Sequence, residues 1–266
     1  RGWRLDVADE LSDGFIEDIK AAMLAERPDG ALVGEVWEDA SNKMGYGKLR
    51  QYFEGTELDG TMNYPLRTAL LAFVRNQIGA PEMAARLEQL RENYPRDAFF
   101  SCLNLLGSHD RERLFTMLGD APDPDTLSEE ECAAFRLDEG HASLAMSRLW
   151  LTVLLQMTLP GVPCVYYGDE RGMEGFRDPY NRAAFPWDGG RMDCATVFRN
   201  AIAVRKALPV LTTGDFEPFA DGEDVFGFWR RGDDGECVCV LANASLHDAH
   251  TVRVPMAGEA VSDVVS

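Results

Sequence analysis

An alternation runs through the first two hundred residues. Short apolar segments of strand character take turns with stretches whose apolar residues recur every three or four positions. That order argues for an α/β fold built on a parallel sheet. Strand character appears at 2–7 (GWRLDV), 31–36 (ALVGEV), 58–63 (LDGTMN), 100–106 (FSCLNLL) and 162–167 (VPCVYY). Helical spacing links Ile16, Ile19 and Met23, then Met83, Leu87 and Leu90, then a long stretch around Leu144 to Leu159. Pro65 suits the first turn of a helix through Leu70 and Phe73, because an N–H is not needed there. A last helix, about 194–208, stops before Pro209.

After Pro209 the pattern changes to short strands with turn chemistry. Val225–Arg231 and Glu236–Ala242 flank Gly232-Asp233-Asp234-Gly235, which predicts a hairpin, and Thr251–Val254 is a third strand candidate. The segment 119–131 (GDAPDPDTLSEEE) reads as a solvated connection.

Composition bounds the function. The 266 residues are 45% hydrophobic, enough to bury a core, and their formal charge of −19 opposes binding to nucleic acid or an anionic membrane. Neutral, hydroxyl-rich substrates remain compatible with such a surface. The six cysteines form no CxxC pair and read as buried reduced thiols, which favours a cytoplasmic setting. The longest apolar run, Leu149–Leu159, is shorter than the ~20 residues a membrane span needs and reads as a buried helix. His247 and His250 lack a third ligand and predict no zinc site, while Met44, Met62, Met146 and Met157 read as core or loop filler. The chain starts with Arg, already in a segment of strand character, as if within a structural element.

Three polar clusters stand at the ends of apolar strands, where parallel α/β sheets and barrels place their chemistry. In GWRLD the period of two puts Arg4 and Asp6 on one face, so a guanidinium can orient a carboxylate that would serve as nucleophile. In LVGEVW, Glu35 shares a face with Trp37, and apolar surroundings would suit a general acid. In NLLGSHD, His109 and Asp110 can face one pocket only if the backbone bends at Gly107 or Ser108. Each cluster has a plainer reading: a structural ion pair, a strand-end surface residue beside a core tryptophan, and a helix N-cap at Asp110. Three carboxylates of unlike surroundings are, taken together, the equipment of glycoside hydrolysis.

The wording and order of GWRLDVADE, GEVWED and NLLGSHD resemble the downstream signature segments of the alpha-amylase family of glycoside hydrolases, in particular its cyclomaltodextrinase, neopullulanase and maltogenic amylase branch. LDGTMNYPLR, GVPCVYYGDERGMEG and RDPYNRAAFPWD extend the likeness over nearly the whole chain. The resemblance implies that Asp6 is the nucleophile, Arg4 its orienting guanidinium, Glu35 the acid/base and Asp110 the carboxylate that stabilises the transition state. It implies that His109 binds a sugar hydroxyl, Trp37 stacks on the leaving-group sugar, and Asp178 and Arg182 line the opposite side. Some relatives have His where this chain has Glu38. The implied fold is a partial (β/α)8 TIM barrel, strands 4 to 8, over residues 1–208, followed by a small antiparallel β domain over 209–266, which need not be complete. The implied reaction is retaining hydrolysis of α-glucosidic bonds in maltooligosaccharides, cyclodextrins or pullulan, with transglycosylation as the rival outcome. No metal or cofactor is implied within these residues, and calcium ligands, where relatives have them, belong to the absent upstream strands. A full barrel needs ~250 residues. An open five-strand sheet exposes two edges, so the chain alone is expected to be inactive and to self-associate.

Overall fold

The computed structural model describes residues 2–252 and 254. From the N-terminus, β1 (Gly2–Leu5), α1 (Asp13–Glu26) and β2 (Ala31–Gly34) lead to a small hairpin, β3 (Met44–Gly45) and β4 (Lys48–Leu49), and then to β5 (Gly60–Thr61). Helices α2 (Tyr64–Val74), α3 (Ala80–Asn93) and α4 (Arg96–Ser101) precede β6 (Leu103–Leu105). Helices α5 (Leu114–Leu118), α6 (Glu129–Ala134) and α7 (Glu139–Thr158) precede β7 (Val162–Cys164). Helices α8 (Met192–Ala207) and α9 (Val210–Thr213) lead into three longer strands, β8 (Asp215–Asp221), β9 (Val225–Arg231) and β10 (Cys237–Asn243).

Strands β1, β2 and β5 pair in parallel, β6 and β7 pair in parallel, and a parallel bridge from Met62 to Leu103 joins the two groups. Each strand therefore lies beside the one that precedes it in this series, with helices in the connections. The strands are shorter than their apolar patterns suggested, because the chain leaves the sheet just before each polar cluster. At 100–106 the start itself shifts, because Phe100 and Ser101 end α4 instead of opening the strand. Phe99 and Phe100 have the β propensity of a strand, but Phe99 packs against Phe216 of the second sheet, and tertiary packing decides.

The strands stay in place because the helices bury their apolar stripes on them. In α7, Asp138 accepts from the His141 N–H at 2.8 Å as N-cap, and Leu149, Val153 and Met157 are buried. In α2, Asn63 caps and Pro65 occupies the first turn. The 119–131 segment is more ordered than a solvated connection: Ser128 and Glu131 form a capping box that starts α6.

The C-terminal sheet runs in the order β10-β9-β8, all antiparallel. Its third strand is β8, not Thr251–Val254: Thr251, Val252 and Val254 are not in a strand, and Arg253 lies outside the described residues. Pro218 hid β8 from a propensity reading, yet at an edge its missing N–H breaks no ladder bond. Phe216, Phe226, Phe228 and Val240 join the same apolar cluster as Leu70, Leu90 and Val153, so this sheet has no separate core. All six cysteines are free, but Cys237 is exposed, against the expectation that every one is buried. Among the described residues no helix is long and apolar enough to cross a membrane.

Candidate active site

The chain turns sharply just past β1. Val7 is held at φ +49°, a left-handed conformation costly for a β-branched residue. In that conformation its N–H donates to Glu35 Oε2 at 2.9 Å, which links the end of β1 to the end of β2. Arg4 reaches the same place. Its guanidinium pairs with Asp6 and, through Nη2, with Glu35 Oε1 at 2.9 Å. Asp6 stands out to solvent, with its side chain 69% exposed, whereas that of Glu35 is 6% exposed. Trp37 Nε1 donates to Glu35 Oε1 at 3.4 Å. Glu35 is thus enclosed by donors, and the expectation of an apolar setting for its carboxyl is corrected accordingly.

The third cluster meets the first two. One ligand atom each from Asp6, Glu35 and His109 lie within 4.8 Å of one another, and Arg4 supplies the positive charge among them. His109 Nε2 lies 2.9 Å from Asp110 Oδ2, so imidazole and carboxylate share one side of the loop. Asp110 is not a helix cap, since α5 starts at Leu114 after Arg113. Gly107 serves close approach, because a Cβ there would strike the buried Asp169 carboxylate. Asp169 pairs with the buried Arg113 at 3.5 Å, and burial pushes its carboxyl up to about 7.

Asp178 and Arg182 arrive from the loop after β7. Arg182 Nε lies 2.8 Å from Asp178 Oδ1 and donates to the His109 carbonyl at 3.0 Å, and Nη2 lies 3.4 Å from Asp110 Oδ1. All eight residues singled out from the sequence thus gather around the ends of β1, β2, β6 and β7. Trp37 is 40% exposed, which sets aside a role as core filler.

Three contributors were not visible in advance. Tyr64 is buried beneath Trp37, with the rings stacked at 4.8 Å. Burial raises its phenol, Glu35 and Asp110 add to the rise, and Ser108 opposes it. Arg111 also approaches the Trp37 ring, its guanidinium 5.5 Å from the ring centre. Asn181, fully buried, donates to the carbonyls of Ser108 and Arg111 at 3.0 and 2.8 Å and so fixes the His109 loop. The MNYP segment after β5 carried a signal for Tyr64, as a polar aromatic at a strand end. Asn181 carried none, because only the tertiary fold brings it to the loop.

Comparison with known proteins agrees with this geometry. Residues 1–256 match the family model for the alpha amylase catalytic domain. Amylopullulanase of Thermoanaerobacter thermohydrosulfuricus is 36% identical over 86% of this chain and 15% of its own length. Cyclomaltodextrinase of Geobacillus thermopakistaniensis (strain MAS1) is 32% identical over 96% of this chain and 38% of its own length. Among solved structures, the cyclic α-maltosyl-(1→6)-maltose hydrolase of Arthrobacter globiformis, in complex with that cyclic sugar, superposes with a TM-score of 0.75 at 28% identity, covering 91% of this chain and 48% of that one. The chain spans less than half the length of each of these relatives. With its strand-end carboxylates brought to one place and the catalytic-domain model matched over nearly its whole length, the chain belongs to the alpha-amylase family.

Proposed function

We propose that these residues form part of the catalytic barrel, strands 4 to 8, of a retaining glycoside hydrolase that cleaves α-glucosidic bonds in maltooligosaccharides, cyclodextrins or pullulan. The observation that carries the reading is the approach of Asp6 and Glu35, with an oxygen of each within 4.8 Å of the other. Retaining enzymes hold their two carboxyls ~5–5.5 Å apart, whereas inverting ones leave room for a water between them. The names of the relatives, among them cyclomaltodextrinase and neopullulanase, support the substrate class.

On this reading Glu35, enclosed by donors, protonates the glycosidic oxygen while the open Asp6 attacks the anomeric carbon. Water deprotonated by Glu35 then releases the glycosyl–Asp6 ester. Arg4 orients both carboxylates, Asp110 stabilises the oxocarbenium-like transition state, His109 binds a sugar hydroxyl and Trp37 stacks on the leaving sugar. Asp178 and Arg182 line the far side. The acids act without a cofactor. Transfer to a sugar hydroxyl in place of water is the same chemistry with another acceptor. The test is the anomeric form of the first product in the full-length enzyme this reading calls for. NMR should show the α-anomer first, and a β-anomer would overturn the retaining assignment.

A second reading concerns the chain by itself. β1 and β7 each have one sheet partner among the described strands, and each borders an apolar groove: Trp3, Leu5, Ile19 and Met23 beside β1, and Met157, Pro163, Val165 and Ile202 beside β7. Such edges favour pairing with further strands, so the isolated chain is inactive and self-associates. Light scattering on the eluting chain checks this, and a clean monomer would count against it.

A further inference from the structure

The β3–β4 hairpin is built in an unusual way. Its two-residue loop, Tyr46-Gly47, has φ of +52° and +77°, as the tight primed turn of a hairpin requires. Asn-Gly or Gly-Gly would fill that loop without strain, whereas a left-handed Tyr costs on the order of 1 kcal/mol. The strained ring is 67% exposed, so burial does not explain it. It is nonetheless held. Its hydroxyl donates to the Glu10 carbonyl, and the Arg50 guanidinium lies 5.9 Å from the ring centre. Arg50 is itself buried, donating to the carbonyls of Asp9 and Leu11 at 2.9 and 2.6 Å and pairing with Asp13 at 2.7 Å.

The hairpin is also tied to both strand-end loops that carry the proposed acids. Lys43, the residue before β3, lies 2.5 Å from Glu38 Oε2 and 3.4 Å from Asp9 Oδ2. Glu38 follows Trp37 directly, and Asp9 stands three residues after Asp6. One ammonium thus joins the two loops and offsets one of their two carboxylates. Met44 and Leu49, cross-strand partners, are both exposed beside the turn. A rigid, outward-facing ring can stack on the apolar face of a sugar without the entropy cost of ordering a mobile side chain.

We infer that the hairpin, through Tyr46, is an outlying subsite that binds further glucose units of an α-glucan chain already seated beside Glu35 and Trp37. The inference rests on the proposed α-glucan function and extends it to longer substrates. The occupant follows from continuity with the Trp37 rim, since Lys43 at the foot of the hairpin pairs with Glu38, the residue after Trp37.

The test is calorimetric titration of the full-length enzyme, made inactive by Asp6→Asn, with maltose and with maltohexaose. Tyr46→Asn removes the ring and supplies the residue the turn prefers. It should keep or raise the melting temperature, leave maltose affinity within about twofold, and weaken maltohexaose binding about five- to tenfold. Tyr46→Phe, which keeps the ring, should retain most of the maltohexaose affinity. Unchanged maltohexaose binding in Tyr46→Asn, or equal weakening of both sugars, overturns the inference while the α-glucan reading stands. Failure of that full-length enzyme, with Tyr46 in place, to bind either sugar counts against that reading and overturns the inference with it.

Discussion

Arg4 and Arg230 are both anchored, and they are neutralised by opposite means. Arg4 sits at the strand-end site between two carboxylates, Asp6 and Glu35. Arg230, fully buried in β9 where the antiparallel sheet meets the ends of α7 and α9, has carbonyls for partners: Thr158 at 2.8 Å, Leu211 at 2.7 Å, and Gly214 at 2.9 and 3.2 Å. Burial, with Arg205 and Arg96 nearby, pulls Arg230 down to about 9. Arg205 repeats the pattern nearby, donating to the carbonyls of Met157 at 2.6 Å and Gly161 at 2.8 Å. At the site, charge meets charge, and the acids stay available to a substrate. At the seam, donors satisfy backbone acceptors at the ends of α7 and α9 that burial would otherwise leave unpaired. The first arrangement is organised for chemistry and the second for cohesion.

The comparison breaks most visibly at the site. In the full-length enzyme, Asp6→Asn should lower kcat on an activated maltoside by about 10³- to 10⁴-fold and leave the melting temperature nearly unchanged. A large stability loss with modest loss of rate would make Asp6 structural. At the seam the expectation reverses. Arg230→Met should cost about 3 kcal/mol in urea unfolding, because several carbonyls lose their donor together. A loss below about 1 kcal/mol would mean that water replaces the guanidinium without difficulty.

Glu57 sharpens the contrast, as a carboxylate with neither arrangement. It is buried, its Oε2 has no partner, and burial together with the Asp13 carboxylate pushes it up to about 7. The folded state therefore holds this proton when the unfolded state has released it. Its stabilising effect is complete below about pH 4.5, the ordinary value, and is lost as pH rises through about 7. Glu57→Gln should raise stability at pH 8 by about 1–2 kcal/mol and leave it nearly unchanged at pH 4. Thermal unfolding at both pH values checks this, and an equal effect at each would set the titration aside. The smallest effect belongs to a pair on the solvent-facing side of a helix, each side chain about half exposed. Arg86 and Glu82 on α3 lie 2.5 Å apart, and Arg86→Ala should change stability by less than about 0.5 kcal/mol by chemical denaturation.

Much of the site was legible because its residues come in contiguous words. Arg4 with Asp6 and Glu35 with Trp37 share a strand face by their period of two, and His109 with Asp110 could be paired once a bend at Gly107 or Ser108 was allowed. Contributors from elsewhere were hidden. Lys43 bridges Asp9 and Glu38, and Asn181 secures a loop more than seventy residues before it. Neither contact follows from any local pattern. The missed strand β8 and the misread start of β6 have one cause: the proline in β8 and the β propensity of Phe100 are local signals, while edge position and packing decide.

The sequence by itself determined the main alternation of strands and helices and set carboxylates just past three of the strands, because apolar periodicity and the short words after each strand are local properties. Tertiary structure alone decided that Asp6, Glu35 and His109 meet, which donors enclose Glu35, and that a left-handed Tyr46 is held by the Glu10 carbonyl. Distances between residues far apart in the chain depend on how the helices pack the sheet, and no local pattern encodes that packing.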